Sequence, residues 1–362
     1  MFGHKSSGRI GNGSKNVSII MSEGTQKFMT GAEIAVQAAM DAGAGLMYGY
    51  PITPVTEVFT GWIKRGQKYL QTEDEIAAGF AVCGAIMAGQ KAFTATSGPG
   101  HILMQDALSM AEGMRLPFVA IVAQRGGPSS GTVIYSQQEV TLACFGGNGE
   151  GLRLVYSPGT LAELYSLTRR AFNDAWQYHF PAIVLTDGYV AKTRGLVDLE
   201  NLKVENISNT PLVAEGSIKH WPNIFTFEEE LCQEIRKNKA EFDKIASNVA
   251  TAEEYQTAEA EILLVAHGIV GAAAKVAVDL LRKDGKKVGL FRPITLRPLA
   301  ARQLNEVVGK VNKIVFVESS LGQLARIVKD ELAPGFQASF EYLQYPGLGI
   351  EVEEIVNQVN KF

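Results

Sequence analysis

The sequence predicts an α/β protein with two domains, each built on a largely parallel β-sheet. Two observations support this fold class. The chain has 362 residues, which is enough for two hydrophobic cores. Short apolar segments typical of buried strands alternate with helix-forming segments, first between about 30 and 195 and again from about 258 to the C-terminus. Strands separated by helices favour parallel pairing through right-handed crossovers.

The first domain is predicted at 29–195, after a flexible leader at 1–28 that is rich in glycine, serine and lysine. Its first helix places Ile34 and Ala38 on one face, and Gly43 then supplies a residue suited to the left-handed backbone that often ends a helix. Helices are predicted at 31–42, 55–68, 76–88, 101–113 and 161–176. Strands are predicted at 46–48, 92–95, 117–123 and 182–185, with a loop-rich region at 124–151.

A polar, turn-rich connector is predicted at 196–257, and its C-terminal part is expected to be a charged helix at 226–247. The alternation of strands and helices then resumes in a second, smaller α/β domain at 258–362. Its strands are predicted at 261–266, 287–291, 313–317 and 338–343. Its helices are predicted at 270–283, 299–308, 322–332 and 351–360.

The composition argues against several classes of function. A net charge of −4 without any Lys/Arg run argues against a nucleic-acid-binding protein. No apolar run reaches membrane-spanning length, and the leader lacks the long apolar core and cleavage site of a secretion signal. The cysteines lie far apart without a CxxC pair, which predicts no metal site on this chain and fits the reducing cytoplasm. These cysteines are Cys83, Cys144 and Cys232.

The sequence YPITP at 50–54 follows a predicted strand. Its prolines, Pro51 and Pro54, fix their own φ angles and push Tyr50 and Thr53 towards extended conformations. Thr53 is therefore predicted to present its hydroxyl at a strand end, where ligands bind to open parallel sheets. A rigid loop whose threonine is satisfied internally is the alternative interpretation.

The acidic cluster Glu73–Asp74–Glu75 precedes a predicted helix rich in alanine and glycine. Small residues let a helix approach another backbone closely, so a carboxylate at its start would be partly desolvated. Desolvation favours the neutral form of Glu75, and a shared proton would suit a relay role. The alternative is that these acids are solvated and complement the helix dipole. We favour the alternative for Glu73 and Asp74 and leave both interpretations open for Glu75.

Two glycine-rich segments follow later strands, TSGPG at 96–100 and QRGGPSSG at 124–131. Exposed amides in the first segment could bind an anion or a polar ligand edge, although a tight turn explains the pattern equally well. It is neither a Walker A sequence nor GxGxxG. In the second segment, Arg125 is predicted to emerge at a strand end, where a guanidinium can hold a carboxylate through two hydrogen bonds. Pairing with a helix C-terminus is the alternative.

The histidines show no spacing typical of a metal site or a nucleophilic triad, and the sequence has no GxSxG elbow. We expect core or surface positions for His101, His179 and His267. In the second domain, the glycine-rich turn AHGIVG at 266–271 could face the first domain or a partner chain.

Taken together and in order, these motifs resemble those of the α subunit of the 2-oxoacid:ferredoxin oxidoreductases. The resemblance extends from about Phe28 to the C-terminus and includes VESSLGQL at 317–324. The chain is most similar to the two-domain members with separate subunits that act on 2-oxoglutarate or branched-chain 2-oxoacids. The resemblance implies a thiamine-diphosphate pyrimidine-binding first domain and a transketolase C-terminal-like second domain.

The resemblance implies an enzyme subunit in a hetero-oligomer. With a β subunit it would catalyse oxidative decarboxylation of a 2-oxoacid, and the favoured reaction is 2-oxoglutarate to succinyl-CoA. Coenzyme A would be the acyl acceptor, and ferredoxin the electron acceptor. The β subunit is expected to hold the diphosphate, Mg²⁺ and a [4Fe–4S] cluster, because this sequence lacks a GDG motif with a downstream Asn and a cysteine set. A γ subunit is a further possible partner.

The resemblance also implies roles for individual residues. Glu75 would hydrogen-bond the aminopyrimidine of thiamine diphosphate and promote activation of its thiazolium ring. Thr53 would contact the substrate carboxylate and coenzyme A, and Arg125 would clamp that carboxylate. Contacts with the cofactor are expected from Glu75, Tyr50, Pro51, Ile52, Thr96, Ser97 and Gly98.

Two positions depart from the family pattern. The first helix reads Gly31–Ala32–Glu33–Ile34 where close relatives have G-N-E-A, and His101 replaces the more usual apolar or aromatic residue after TSGPG. Other functions remain open at this point. They are the same reaction on pyruvate or a branched-chain 2-oxoacid, another thiamine enzyme such as a transketolase-like or decarboxylase half, and an inactive scaffold or regulatory paralogue.

Overall fold

The computed structural model describes residues 26–202, 204–209, 213–214, 217–218 and 223–362. Most of the leader predicted at 1–28 therefore lies outside the described residues, and its last three residues belong to the first strand. Among the described helices, none combines the length and the hydropathy that a membrane crossing requires.

The strands of the structure, in chain order, are β1 (Gln26–Thr30), β2 (Leu46–Gly49), β3 (Lys68–Gln71), β4 (Ala92–Thr96), β5 (Val119–Gln124), β6 (Leu154–Tyr156), β7 (Ala182–Asp187), β8 (Arg194–Asp198), β9 (Val213–Ala214), β10 (Ser217–Ile218), β11 (Ala252–Tyr255), β12 (Ile262–Val265), β13 (Val288–Pro293), β14 (Thr295–Arg297), β15 (Lys313–Glu318) and β16 (Ser339–Gln344).

The α-helices are α1 (Gly31–Asp41), α2 (Thr56–Lys64), α3 (Glu75–Met87), α4 (Pro99–Leu103), α5 (Gln105–Gly113), α6 (Val140–Phe145), α7 (Leu161–Tyr178), α8 (Gly188–Lys192), α9 (Glu228–Val249), α10 (Gly268–Lys283), α11 (Ala301–Val308), α12 (Gln323–Lys329) and α13 (Val352–Val359). A short 3₁₀ helix spans Glu200–Leu202.

The predicted two-sheet α/β fold is confirmed. The first sheet has the strand order β14-β6-β7-β5-β4-β2-β3, and all its pairs are parallel except that of β14 with β6. Helices α1, α2 and α7 pack on one face, and α3, α5 and α6 pack on the other. The sequence pattern missed three of these strands. The four residues of edge strand β3 are all exposed, and only the first of them fell within a predicted helix, at 55–68, while β6 and β14 have three residues each.

The second sheet has the order β11-β13-β12-β15-β16. Its central strands are parallel, and β11 pairs antiparallel with β13 although its residues fall in the segment predicted as a connector. Strand β8 (Arg194–Asp198) crosses the predicted start of that connector and pairs antiparallel with β1. Helices α10 and α13 cover one face of the second sheet, whereas α11 and α12 contribute to an apolar cluster shared with the first domain.

Local sequence explains where the helices next to the site begin and end. Thr30 and Glu33 form a reciprocal capping box at the start of α1, and Gly43 has the predicted left-handed conformation (φ 82°) after its end. Asp74 caps α3 by accepting a hydrogen bond from the amide of Ala77 (2.8 Å). This cap fixes Glu75 as the first residue of α3.

Candidate functional site

The carboxyl ends of β2, β4 and β5 lie at the same edge of the first sheet, because these strands are parallel. The sequences YPITP, TSGPG and QRGGPSSG leave the sheet at this edge. Glu75 arrives there through the short connection from β3 to α3. This is the edge at which open α/β sheets bind ligands, and it brings the predicted site segments together.

Glu75 is buried, with 4% of its surface exposed. Its Oε1 atom has no hydrogen-bond partner among the described residues. Burial raises the pKa of the Glu75 carboxyl, and the neighbouring Asp74 raises it further, while Arg125 partly opposes the shift. A buried carboxyl with an unused oxygen and a raised pKa can share a proton with a polar ligand. Of the two interpretations of Glu75, the solvated acid is excluded by its burial.

Thr96 is the last residue of β4 and Ser97 follows it, at the same edge of the sheet. Both side chains are fully buried, and neither hydroxyl oxygen has a partner within the part of the chain that the structure describes. Buried polar atoms normally form hydrogen bonds, and unsatisfied ones in native proteins call for an explanation. Several such atoms at one sheet edge, together with Oε1 of Glu75, favour a bound polar ligand.

Gly100 lies directly against Glu75. A Cβ atom at this position would overlap Oε1 of Glu75 and Oγ1 of Thr96. Gly100, the second glycine of TSGPG, is therefore required for the close approach of α4 to the Glu75 carboxyl. The sequence pattern alone did not provide this reason.

We expect Gly100→Ala to destabilise the chain by about 1–3 kcal/mol, because the added methyl group overpacks a buried polar site. Gly84→Ala is the matched control, because Gly84 lies in α3 where a Cβ meets no atom within 4 Å. That control is expected to raise stability by about 0.4–1 kcal/mol through loss of unfolded-state freedom. Equilibrium unfolding in denaturant measures both values, and the same sign for the two variants would contradict the packing argument.

Arg125 is also buried, with 6% of its surface exposed. Its Nη1 donates a hydrogen bond to the carbonyl oxygen of Thr53 (2.7 Å), and its Nε atom has no partner among the described residues. Gly98 has φ 50°, and a Cβ on it would lie 2.6 Å from Nε of Arg125. The guanidinium therefore connects the YPITP and QRGG segments and leaves an unused donor. It contacts a loop carbonyl rather than the helix C-terminus considered as the alternative.

The YPITP segment is the most exposed part of the site. Thr53 is exposed, Tyr50 has 41% of its surface exposed, and Pro51 and Ile52 are half-buried. The Thr53 side chain thus faces outward, as its place between two prolines predicted. The structure brings every predicted site residue to this one edge.

Glu139 was not singled out from the sequence, and its contact with His101 was not foreseen. His101 is buried, in agreement with the expected core or surface position, and its Nδ1 lies 2.8 Å from Oε2 of Glu139, which is buried as well. The other oxygen of Glu139, Oε1, accepts hydrogen bonds from the amides of Gly98 (3.0 Å) and Arg125 (2.9 Å). One signal could have found Glu139, because it is the only acidic residue between 113 and 149.

The other histidines agree with the expectation. His267 is fully buried, and its Nδ1 lies 2.8 Å from the hydroxyl oxygen of Ser157. Burial lowers the pKa of His267 to about 3, so this imidazole is neutral. His179 takes the left-handed conformation that ends α7. No group of three or more His, Cys, Asp or Glu side chains in the described ranges is arranged to hold a metal ion.

Comparison with protein families gives two matches that together cover most of the chain. Residues 37–263 match "Pyruvate flavodoxin/ferredoxin oxidoreductase, thiamine diP-bdg", and residues 260–355 match "Pyruvate:ferredoxin oxidoreductase core domain II". Fold, site and family thus define a thiamine diphosphate-binding α/β domain followed by a second α/β domain. The chain belongs to the 2-oxoacid:ferredoxin oxidoreductases, as an α-type subunit of the kind called VorB or KorA.

Several individual proteins are similar to this chain. The ketoisovalerate oxidoreductase subunit VorB of Methanothermobacter marburgensis is 33% identical over 92% of this chain and 97% of its own length. The 2-oxoglutarate synthase subunit KorA of Methanocaldococcus jannaschii is 32% identical over 82% of this chain and 89% of its own length.

Two solved structures are similar to this chain at different levels. The 2-oxoglutarate:ferredoxin oxidoreductase of Magnetococcus marinus, solved with 2-oxoglutarate, coenzyme A and succinyl-CoA bound, has a TM-score of 0.83 and 27% identity over 93% of this chain. This chain spans 65% of the length of that one. A split-gene transketolase, described as an inactive β4 tetramer, has a TM-score of 0.57 at 13% identity and covers 91% of this chain and 95% of its own. That second likeness shows the predicted transketolase-like fold alone.

Proposed function

We propose that this chain forms the aminopyrimidine side of a thiamine diphosphate site that it shares with a β-type subunit. The complex would oxidatively decarboxylate a 2-oxoacid, transfer the acyl group to coenzyme A and pass electrons to ferredoxin. The observation that carries the proposal is Glu75, a buried carboxyl at the sheet edge whose Oε1 lacks a partner among the described residues. An inactive scaffold would have no reason to retain such an unsatisfied group, which costs stability.

The residues at this edge fit the aminopyrimidine ring. Oε1 of Glu75 can share a proton with a ring nitrogen, and the unsatisfied hydroxyls of Thr96 and Ser97 can bond polar ring atoms. Bound thiamine diphosphate would supply the electron sink for cleavage of the bond to the leaving carboxylate. Glu75 would hold the ring and exchange a proton with it. The remaining cofactor contacts are proposed for Tyr50, Pro51, Ile52 and Gly98.

Arg125 and Thr53 are proposed to bind the substrate. The guanidinium has an unused donor at Nε, and a 2-oxoacid presents a carboxylate that matches it. Thr53 is exposed beside it and can present its hydroxyl to the substrate and to coenzyme A. The hydrogen bond from Arg125 to the Thr53 carbonyl couples the positions of the two residues.

Exposed apolar side chains that adjoin the site segments in the sequence support a partner subunit at this surface. The exposed fractions are 39% for Ile76, 51% for Ile102, 43% for Leu103 and 53% for Val133. The β-type subunit would cover them and would hold the diphosphate, Mg²⁺ and a [4Fe–4S] cluster. Ferredoxin is the proposed electron acceptor, and a γ subunit is a further possible partner. The proposed location of the complex is the cytoplasm.

Two 2-oxoacids, which differ in their side chains, are candidates for the substrate. The sequence analysis favoured 2-oxoglutarate, and the KorA relatives and the Magnetococcus enzyme support that choice by their names. The VorB relatives support 2-oxoisovalerate. Arg125 and the buried His101 are the only basic residues in the segments 50–54, 73–75, 96–101 and 124–131. These segments therefore offer no further cation for a second carboxylate, as in 2-oxoglutarate.

The decisive experiment is to co-express the chain with its β-type subunit and measure reduction of a low-potential dye. We expect reduction that requires both a 2-oxoacid and coenzyme A, and none from this chain alone. Testing 2-oxoglutarate, 2-oxoisovalerate and pyruvate side by side identifies the substrate from the ratio of kcat/KM values. Failure with every 2-oxoacid, in a complex that binds thiamine diphosphate, would leave the scaffold interpretation.

A further inference from the structure

Glu139 lies outside every sequence motif, yet its carboxylate touches both glycine-rich segments of the site. Oε1 accepts hydrogen bonds from the amides of Gly98 and Arg125, and Oε2 lies beside Nδ1 of His101. Gly98 and His101 belong to the segment after β4, and Arg125 follows β5. A single buried side chain therefore binds the two loops that carry the candidate cofactor and substrate contacts.

The carboxylate is well matched to this task. A buried carboxylate is costly unless donors surround it, and here two amides and one imidazole supply hydrogen bonds. In return it satisfies two backbone N–H groups beyond the ends of their strands, where no ladder partner remains. Its position fixes the backbone at Gly98, whose left-handed conformation brings it against Arg125.

The segment that carries Glu139 is held by the second domain. Gln137 forms two hydrogen bonds with the backbone of Ser319. The backbone N–H of Gln137 donates to the Ser319 carbonyl (3.0 Å), and the side-chain Oε1 of Gln137 accepts from the backbone N–H of Ser319 (3.1 Å). Nε2 of Gln137 also donates to the carbonyl of His267 (3.0 Å), which lies in the AHGIVG turn. This turn thus faces the first domain, one of the two orientations expected from the sequence.

Gln323, at the start of α12, holds the other side of the same segment. Its Oε1 accepts from the amide of Thr141 (2.9 Å), and its Nε2 donates to the carbonyl of Gln138 (2.8 Å). Glu139 lies between these two anchoring points. The VESSLGQL sequence therefore does more than start a helix, because its glutamine, Gln323, hydrogen-bonds to the backbone on both sides of Glu139.

We propose that Glu139 is a positioning residue of the active site and that the second domain, through Gln137, Ser319 and Gln323, holds it in place. The contribution to catalysis rests on the proposed function, whereas the positioning itself does not. Glu139 sets the relative placement of Gly98 and Arg125. The second domain thereby acts on the site without contributing a side chain to it.

The test compares Glu139→Ala, Glu139→Gln and Gln323→Ala by amide hydrogen exchange of the full-length chain. Glu139→Ala is expected to speed exchange at Gly98 and Arg125 at least tenfold, because both amides lose their acceptor. Glu139→Gln is expected to retain most protection, since its Oε1 can still accept from both amides and His101 can change tautomer. Gln323→Ala is expected to speed exchange in 138–141 and, less strongly, at the two site amides.

Asp174→Asn is the matched control, because Asp174 accepts hydrogen bonds from Tyr156 and Arg170 outside the site. It should leave exchange at Gly98 and Arg125 unchanged. Unchanged exchange at these amides in Glu139→Ala would overturn the proposal. If Glu139→Ala does not fold, unchanged exchange there in Gln323→Ala would overturn it equally.

Kinetics of the complex then separate positioning from folding. We expect kcat/KM at least tenfold lower for Glu139→Ala and within threefold of the original for Glu139→Gln. Equal losses in both variants would show that the charge, not the acceptor geometry, is what matters, and would overturn the positioning role. A complex without 2-oxoacid activity would refute the proposed function, and the exchange experiment would still decide whether Glu139 orders the two loops.

Discussion

Glu75→Gln is expected to lower kcat of the complex about 10²–10⁴-fold, the range typical for loss of a general acid or base. The amide has nearly the same shape but cannot exchange a proton with the aminopyrimidine. Exchange of the thiazolium proton of bound thiamine diphosphate should slow accordingly, which NMR of quenched samples measures. Normal proton exchange in Glu75→Gln would exclude the relay role.

Glu73→Gln is the control for this prediction. Glu73 lies two residues away in the same acidic cluster but is exposed, so the substitution should leave both kcat and proton exchange unchanged.

The pH dependence of the free energy of unfolding provides a second test of Glu75. Because burial raises the pKa of Glu75 in the folded chain, the wild type loses stability as pH rises through that pKa. Glu75→Gln lacks this loss, so its stability relative to the wild type should increase from acidic to neutral pH.

Arg125→Ala is expected to raise KM for the 2-oxoacid by about 10- to 150-fold. This corresponds to the roughly 1.5–3 kcal/mol of a hydrogen bond to a charged group. Arg125→Lys should recover only part of the loss, since an ammonium keeps the charge without the planar fork of donors. Steady-state kinetics with varied 2-oxoacid measure both values, and calorimetry should show nearly normal cofactor binding.

Arg302→Ala is the control, because the Arg302 side chain is 90% exposed and pairs only with Glu306 on its own helix among the described residues. Its KM should be unchanged. An unchanged KM in Arg125→Ala would remove Arg125 from the substrate site and leave it a structural role, namely its hydrogen bond to the Thr53 carbonyl.

Local sequence was sufficient for the elements whose patterns are strong. Gly43 marks the end of α1, and the strand that became β5 was found because 117–123 is an uninterrupted apolar run. Elements whose identity depends on neighbours were missed. Strand β3 is an exposed edge, and it exists because β2 offers it a hydrogen-bonding partner. Strand β14 follows β13 in the chain, yet it pairs with β6 of the first domain.

The site shows the same division. The motifs located Glu75, Thr53 and Arg125 correctly at one edge, since parallel strands present their carboxyl ends together. Burial decided between the two interpretations of Glu75, and burial is a property of the packed chain. His101 carried no pattern of its own, because its partner Glu139 lies 38 residues further along the chain.

By itself the sequence determined the fold class, the family and the segments that form the site, because periodicity and strand-end motifs are written in consecutive residues. Tertiary structure alone decided which oxygen of Glu75 remains unsatisfied, that Arg125 bonds the Thr53 carbonyl, and that Glu139 joins two loops. The physical reason is that desolvation and hydrogen bonding depend on atoms brought together from distant parts of the chain. The second domain's hold on Glu139 is of this kind, since Gln323 lies 182 residues from Thr141.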